Sequence, residues 1–507
     1  MAAKPSRMSL LESVKALFYT SSVLGVVPYS LREFYSKNVL KSSILANIWV
    51  VVNMCSYSVM FHLSTDYYIS GDGSGQGTLT NAIGILINYM EPLMMCIDLV
   101  ASMINQKTLI DCVSRLERVD LKLTSENIIV NNAGVRRYTN ILLILAFIFE
   151  FLLTTYNFIV FAAEYTLLSL MWFITAFPTG INSVSRIWFF VLVSAVRHRF
   201  QAMNSHMDEL AGLLEEHNER WEDEREFEKT AIPMNYLEKE IFTIRSHRRG
   251  IIHPVQPMKK GGTPKIINVL PIEKIGRGEK AISQKRSTFD FLSFEKYMKI
   301  DEKLDKKMIL VCRMHDELCE IGKCVNQMFS FQMLVSMAHG FMVITAQFYF
   351  LYCALSGQPV PILFRTAQVV QISVLLIAYI AMKCVICIYV CWKTKTESKR
   401  TGVYMHHLAN MVDETHFYQI VNHLSLKLLN HQLNFSACGF FDLDMTTLYA
   451  ITGAITSYLI ILIQFNLAAL GKTGNSTEGL NVTSTAVPLL NLTSTISTAL
   501  STYVANP

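Results

Sequence analysis

Seven apolar runs, each long enough to cross a bilayer, constrain this chain more than any other feature. They extend from about Ile44 to Leu63, Asn81 to Ile104, Tyr138 to Ala163, Thr166 to Val196, Phe329 to Leu355, Thr366 to Trp392 and Thr446 to Phe465. Lipid offers no partner to a backbone N–H or C=O, so a spanning segment must satisfy its own. Apolar runs of this length do so as helices. Only 17% of the residues are charged and 51% are hydrophobic, where a soluble domain carries roughly 25% charge. The expectation is an all-α membrane protein of seven transmembrane helices, with a break in the fourth at Pro178-Thr179-Gly180.

Basic residues orient the spans. Lys4, Arg7, Lys15, Arg32, Lys37 and Lys41 precede the first, and Lys107, Arg115, Arg118, Lys122, Arg136 and Arg137 follow the second. The intervening loop, Ser64 to Thr80, has none. Positive charge marks the cytosolic side, so the N-terminus is expected inside. Three sequons, at Asn475, Asn481 and Asn491, lie in a Ser/Thr-rich tail and call for glycosylation on an extracellular or lumenal end. Seven crossings connect an inside start to an outside end, so the two signals agree. The resulting division is 1–43, a cytosolic amphipathic segment; 44–196, helices one to four; 197–328, a cytosolic loop; 329–392, helices five and six; 393–445, a cytosolic anchor segment; 446–465, helix seven; and 466–507, the outer tail.

The water-facing parts carry helical periodicity. Leu10 to Val27 reads as an amphipathic helix on the inner membrane surface. In the large loop, Met203, Met207, Leu210, Leu213 and Leu214 fall near one helix face, and Leu304, Met308, Val311, Met314, Leu318, Ile321 and Val325 repeat at three-and-four spacing. These stretches are expected to prolong spans four and five into the cytosol. Between them a basic, Pro- and Gly-containing zone at about 245–285 reads as a solvated linker, with contact to anionic lipid as its other reading. Lys393 to Asp444 reads as a helix pair. The glycine-rich run Gly71 to Gly77 lacks the Lys-Ser/Thr of a phosphate cradle and reads as an outer loop. The net charge of +5 reflects loop bias, and no nucleic-acid partner is expected. Cys384-x-x-Cys387 sits in an apolar helix as packing. His406, His407 and His431 have no acidic or cysteine partner at ligand spacing, so neither metal nor cofactor is expected.

The last span carries a file of small and polar residues: Gly453, Ser457, Ile461 and Gln464 recur at helical spacing. Periodicity fits either a helix packed by its small residues or one lining a pore. Ser457-Tyr458, five aliphatic residues and Gln464-Phe465 resemble the Thr-Tyr-(five apolar)-Gln-Phe signature that closes insect gustatory receptors, with Ser for the usual Thr. Phe435-Ser436-Ala437-Cys438-Gly439-Phe440-Phe441-Asp442-Leu443-Asp444 is similar to that family's segment before its last helix. Leu24 to Tyr29 and the stretch Arg313 to Phe329, with His315, Leu318, Asn326 and Phe329, resemble it too. The closing segment reads nearer the bitter and general-sensory branches than the sugar branches, and the long tail departs from the family.

The resemblance implies a chemosensory receptor acting as a ligand-gated, weakly selective cation channel opened by a small-molecule tastant. It implies four subunits, as a homotetramer or a heteromer with related receptors, in the plasma membrane of sensory neurons. Pore and gate then fall to Gln464, Ile461, Ser457 and Tyr458. The implied ligand pocket opens outward among helices two to six, where Tyr89, Glu91, Tyr156, Asn157, Trp172, Gln347, Tyr349, Tyr352 and Gln371 offer aromatic or polar groups. Asp98, Glu150, Arg186 and Lys383 lie inside apolar runs, each costing ~2.5–3.5 kcal/mol at mid-bilayer, and a Glu150–Lys383 pair is expected. A G-protein-coupled receptor would need the opposite orientation, an Asp-Arg-Tyr-like end to span three and Asn-Pro-x-x-Tyr in span seven. A secondary transporter would show inverted repeats. No nucleophile–base pair or His-Glu-x-x-His points to an enzyme.

Overall fold

The computed structural model describes residues 8–37, 39–70, 78–161, 171–231, 278–357, 369–411, 419, 421–422 and 432–474. Eleven helices and one short hairpin are described: α1 (Leu10–Ser13), α2 (Lys15–Val23), α3 (Leu31–Lys37), α4 (Ile44–Ser70), α5 (Thr78–Ile104), α6 (Gln106–Ser125), α7 (Asn132–Phe161), α8 (Met171–Ala231), α9 (Gly278–Leu355), α10 (Val369–Met411), β1 (Ser436–Ala437), β2 (Phe441–Asp442) and α11 (Met445–Gly474). Seven of them, α4, α5, α7, α8, α9, α10 and α11, are long and apolar enough to cross a membrane. The chain is therefore an all-α membrane protein with the expected seven spans.

Helix α8 is the hub. Its apolar window is 83% buried, whereas that of α11 is 0% buried. At 61 residues α8 is ~90 Å long, about three times the hydrocarbon core, so it runs on beyond the membrane. Helices α9 and α10 are likewise longer than one crossing. Their prolongations pack with α6 and continue the main core beyond the spans. Met203, Met207, Met308, Met314, Leu318, Ile321 and Val325 are buried there beside Leu116 and Phe200. The periodic stripes read from the sequence thus face one another, except that Leu213 is exposed and the side chain of Leu304 lies outside the described residues. Polar ties fix the core: Arg199 donates to Asp120 at 2.7 Å, Asn204 donates to Glu397 at 2.9 Å, and Thr401 donates to Asn204 at 2.7 Å.

Three expectations are corrected. Helix α8 continues through Pro178. Pro178 lies inside the described helix, and residues on either side of it are held from outside, by Tyr57 stacked on Phe177 at 5.0 Å and by Asn182 bonded to Glu91. The break is therefore replaced by packing. The N-terminal segment is not one helix on the lipid surface. It splits at Val14 and folds onto α7 and α8, burying Leu10, Leu11, Val14, Leu17 and Phe18. Ser13 donates to the Asn132 carbonyl, Trp188 donates to Ser21 at 2.7 Å, and Tyr29 donates to the Gln106 carbonyl. An amphipathic face is satisfied by protein as well as by lipid, and here protein covers it. Of the 393–445 segment, the residues up to Met411 prolong α10, 419 and 421–422 are helical, and the β1–β2 hairpin leads into α11, while the rest of the expected helix pair lies outside the described residues. His406 and His407 are exposed on that prolongation, and His431 lies outside the described residues. The end of the basic zone, 278–285, is the start of α9, and its remainder lies outside the described residues, as do Gly71 to Gly77.

Candidate functional site

Helix α11 packs on its own chain by one stripe only. Ile455, Leu459 and Leu462 lie against the α9–α10 core around Ile344, Phe350 and Tyr379. A helix turns about 100° per residue, so Gly453, Ser457, Ile461 and Gln464 fall on the opposite side. Ser457 and Gln464 are exposed and Ile461 is 42% exposed. The file seen in the sequence is thus a real face, turned away from the rest of the chain. Tyr458 does not belong to it. Its ring meets Phe341 of α9 edge-on at 5.5 Å, which places it on the flank.

The approach to α11 is built with care for its backbone. Cys438 and Gly439 hold φ of 50° and 76°, and Phe440 N–H closes the turn on the Ala437 carbonyl. Two successive left-handed residues make the tight turn whose twist matches a hairpin. Asn326 of α9 accepts the Ser436 N–H at 3.1 Å, fastening β1 to the bundle. Asp444 then caps α11, accepting from the N–H groups of Thr446 at 3.0 Å and Thr447 at 3.4 Å. Those bonds, led by the Thr446 side chain, hold its carboxyl below the usual carboxylate range.

A polar network crosses the middle of the bundle. Lys383 Nζ of α10 lies 2.9 Å from Glu150 Oε1 of α7 and sits 3.9 Å from the centre of the Tyr379 ring. Ser183 of α8 donates to Glu150 at 2.7 Å and accepts from Lys383 at 3.0 Å, and Tyr379 also donates to Glu150. The expected pair therefore exists, with the Ser183 and Tyr379 hydroxyls also bonded to it. Nearby, Asn182 donates to Glu91 at 2.8 Å and His339 Nε2 stands 3.6 Å from the same carboxylate. Gln332 donates to Asp98 at 3.0 Å and to Ser185 at 3.4 Å. Asp98, Arg186 and Gln332 line a cavity of about 10 Å³, the space of roughly one water. Charges this costly in lipid are all turned inward, as intramembrane ionisable groups require.

Of the outer-half candidates, the structure joins some and separates others. Tyr156 donates to Gln371 at 2.8 Å, linking α7 to α10, and Tyr89 pairs with His62 at 2.8 Å, linking α5 to α4. Glu91 belongs to the central network. Tyr349 is buried in the α9–α10 core with Tyr352 partly buried beside it. Gln347 is 1% exposed, and its Oε1 accepts no hydrogen bond from the described residues. The side chains of Asn157 and Trp172 lie outside the described residues, as do Asn475, Asn481 and Asn491. Sequence reasoning missed Asn182, Ser183, Ser185, Gln332, His339 and Tyr379. The run Asn182-Ser183-Val184-Ser185-Arg186, polar in the middle of an apolar span, was the available signal.

Comparison with known proteins bears on the same features. The sequence profile described as 7tm chemosensory receptor matches residues 14–237 and 283–469. The gustatory receptor for bitter taste 66a of Drosophila melanogaster is 36% identical over 485 residues, covering 92% of this chain and 91% of that one. Putative gustatory receptor 28b of the same fly is 28% identical over 196 residues, 37% of this chain and 41% of that one. Among solved structures, the insect olfactory receptor OR5 from Machilis hrabei superposes with a TM-score of 0.50, covering 89% of this chain and 97% of that chain at 12% identity. The same receptor in complex with eugenol gives a TM-score of 0.51 at 11% identity. At such identity the likeness is one of fold.

Proposed function

The chain belongs to the insect gustatory receptor family, a multi-pass membrane chemosensory receptor, and from that membership we propose that it is a ligand-gated, weakly selective cation channel opened by a small-molecule tastant. The observation that carries the reading is the face of α11 bearing Gly453, Ser457, Ile461 and Gln464, which its own chain leaves uncovered. A glutamine facing lipid is unfavourable, so Gln464 calls for another copy or for water. Four subunits around one axis, identical or mixed with related receptors, would supply both. A ring of Gln464 replaces part of an ion's hydration with neutral dipoles, and a ring of Ile461 one turn inward excludes water when the pore is closed. No fixed charge stands on this face, so cations pass with little discrimination.

We infer the same topology as the basic loops and tail sequons imply, with the N-terminus and the α6–α8–α9–α10 core in the cytosol and the C-terminus outside, in the plasma membrane of sensory neurons. The ligand enters from the outer half, where Tyr156, Gln371, Tyr89, Tyr349, Tyr352 and Gln347 lie. The unused acceptor of Gln347 favours a ligand carrying an N–H or O–H donor. A bitter tastant is favoured by the extent of likeness to a bitter-taste receptor. The test is current without ligand in cells lacking related receptors. Ile461→Ala should leak several-fold above wild type at matched surface expression. An Ile461→Ala chain as tight as wild type, yet responsive to ligand, would remove Ile461 from the gate.

A further inference from the structure

Two thiols that the channel reading does not use meet in the core formed by α6 and the helix prolongations. Cys112 of α6 and Cys324 of α9 place their Sγ atoms 2.9 Å apart. By comparison, Cys387 and Met333 stand 3.6 Å apart, and Cys312 and Met405 3.8 Å. A disulfide needs ~2.05 Å, so closure by roughly one ångström would join them. Their surroundings assign them different roles. Cys112 is buried, and its hydrogen bond to Cys324, together with burial, pushes its thiol well above the ordinary range, so it stays the donor. Cys324 is half-buried and its sulfur accepts that bond. Arg115, one turn along α6 from Cys112, is itself paired with Asp111 at 2.7 Å, so the sulfur–sulfur contact and not a free cation defines the site.

Their position gives the pair a mechanical meaning. Gly322 and Asn326 share one face of α9. Leu433 lies so close over Gly322 that a Cβ there would meet it at 2.6 Å, and Asn326 holds Ser436 of β1. Cys324 points from the other side of the same turn toward α6. Helix α9 is thus gripped between α6 and the lead-in to α11.

We propose that Cys112 and Cys324 form a redox-active dithiol that closes to an intramolecular disulfide on exposure to peroxide, stapling α6 to α9 beside the lead-in to α11. The Cys324 thiolate attacks one oxygen of hydrogen peroxide, the O–O bond breaks, and the departing hydroxide takes a proton to become water. Cys324 is left as a sulfenic acid. The Cys112 sulfur then attacks the Cys324 sulfur, the S–O bond breaks, and a second water leaves. Two thiols lose two electrons and one peroxide becomes two waters. The chemistry rests on the sulfur–sulfur contact and the differing burial of the two thiols. Only its reversal in the cell rests on the inward-facing core proposed above, because cytosolic thiols are kept reduced.

The experiment uses the full chain in detergent micelles, treated with hydrogen peroxide, blocked with N-ethylmaleimide, and digested without reductant for peptide mass mapping. Cys112 and Cys324 should lose their alkylated peptides together, and a linked pair two hydrogens lighter should appear and vanish with dithiothreitol. Cys112→Ser should abolish the link and leave a Cys324 sulfenic acid that dimedone traps. Exposed Cys438 serves as the reference for oxidant access. Cys438 oxidised while Cys112 and Cys324 stay fully alkylated would overturn the proposal. So would Cys324 oxidised in the wild-type chain with no linked peptide. Both readings are obtained whether or not the chain conducts, so failure of the channel reading leaves this one standing.

Discussion

Arg199 of α8 donates to Asp120 of α6 at 2.7 Å, and neither side chain is more than 7% exposed. The guanidinium also donates to the Ala195 carbonyl, and Asp120 accepts from Asn132. The pair therefore locks the hub helix to α6 and to the start of α7. Removing one partner of a buried pair strands the other charge and costs ~3–5 kcal/mol. Asp120→Asn should lower the thermal midpoint in detergent by several degrees and, because the site is buried, show little change with added salt. Arg115→Gln, whose ion pair with Asp111 is about half exposed, should cost under ~1 kcal/mol. Equal losses in the two variants would show that Arg199 and Asp120 do not act as a buried pair.

The same logic inside the bundle is tested by a cycle. Glu150 and Lys383 share Ser183 as a common partner, so their contributions should not add. Neutralising both removes two charges that compensate each other. Glu150→Gln with Lys383→Met should therefore lose at least ~1 kcal/mol less than the two single losses summed. Simple additivity in thermal unfolding would mean that the two groups do not couple.

How much of this was legible follows from what each signal measures. The seven spans were visible because lipid demands long apolar runs whatever the fold. The core formed by the helix prolongations was visible because its stripe of Met308, Val311, Met314, Leu318, Ile321 and Val325 faces water unless buried, and each such side chain is worth ~1.5–3 kcal/mol. Charges such as Glu150 and Lys383 stood out as anomalies, but Ser183, Gln332 and His339 did not. Serine in a membrane helix often bonds only its own backbone, as Ser457 does with the Gly453 carbonyl. Which polar residues meet across helices depends on crossing geometry that periodicity does not carry. The N-terminal segment misled for a related reason, since Leu10, Leu17 and Phe18 would look the same to a lipid surface as to α7 and α8. Pro178 misled because a proline inside a membrane helix need not break it, since neighbouring helices and local adjustment can satisfy the freed backbone group.

Gly340 of α9 lies close against α10. A Cβ built there would stand 2.7 Å from Cys384 Sγ and 3.5 Å from the Ile380 side chain. Interfaces between membrane helices depend on such small residues for close packing. Gly340→Ala should cost ~1–3 kcal/mol by overpacking, and adding Cys384→Ala should recover most of it. Failure of the double variant to recover in thermal unfolding would locate the loss elsewhere than in this contact.

Gln464 is expected to set conduction rather than stability, because its side chain is exposed on the uncovered face of α11. Gln464→Arg places a ring of positive charge where the proposed pore is narrow, and cation current should fall at least tenfold with surface expression unchanged. Gln464→Glu should leave current in place and raise preference for cations over anions, as acidic rings do. If Gln464→Arg conducts cations as well as wild type, α11 lines no pore.

Every assignment of inner and outer halves depends on which side the tail occupies. Three sequons, Asn475, Asn481 and Asn491, follow α11 within a short stretch, and only an extracellular or lumenal tail meets the glycosylation machinery. The full chain made in insect cells should therefore shift in mobility on N-glycosidase treatment. Asn475→Gln, Asn481→Gln and Asn491→Gln together should abolish the shift. A tag on the tail should bind antibody on intact cells. Binding only after permeabilisation would place the tail inside. Tyr156, Gln371 and Gln347 would then face the cytosol, and the α6–α9 core with its two thiols would lie outside, where a Cys112–Cys324 disulfide would persist rather than switch.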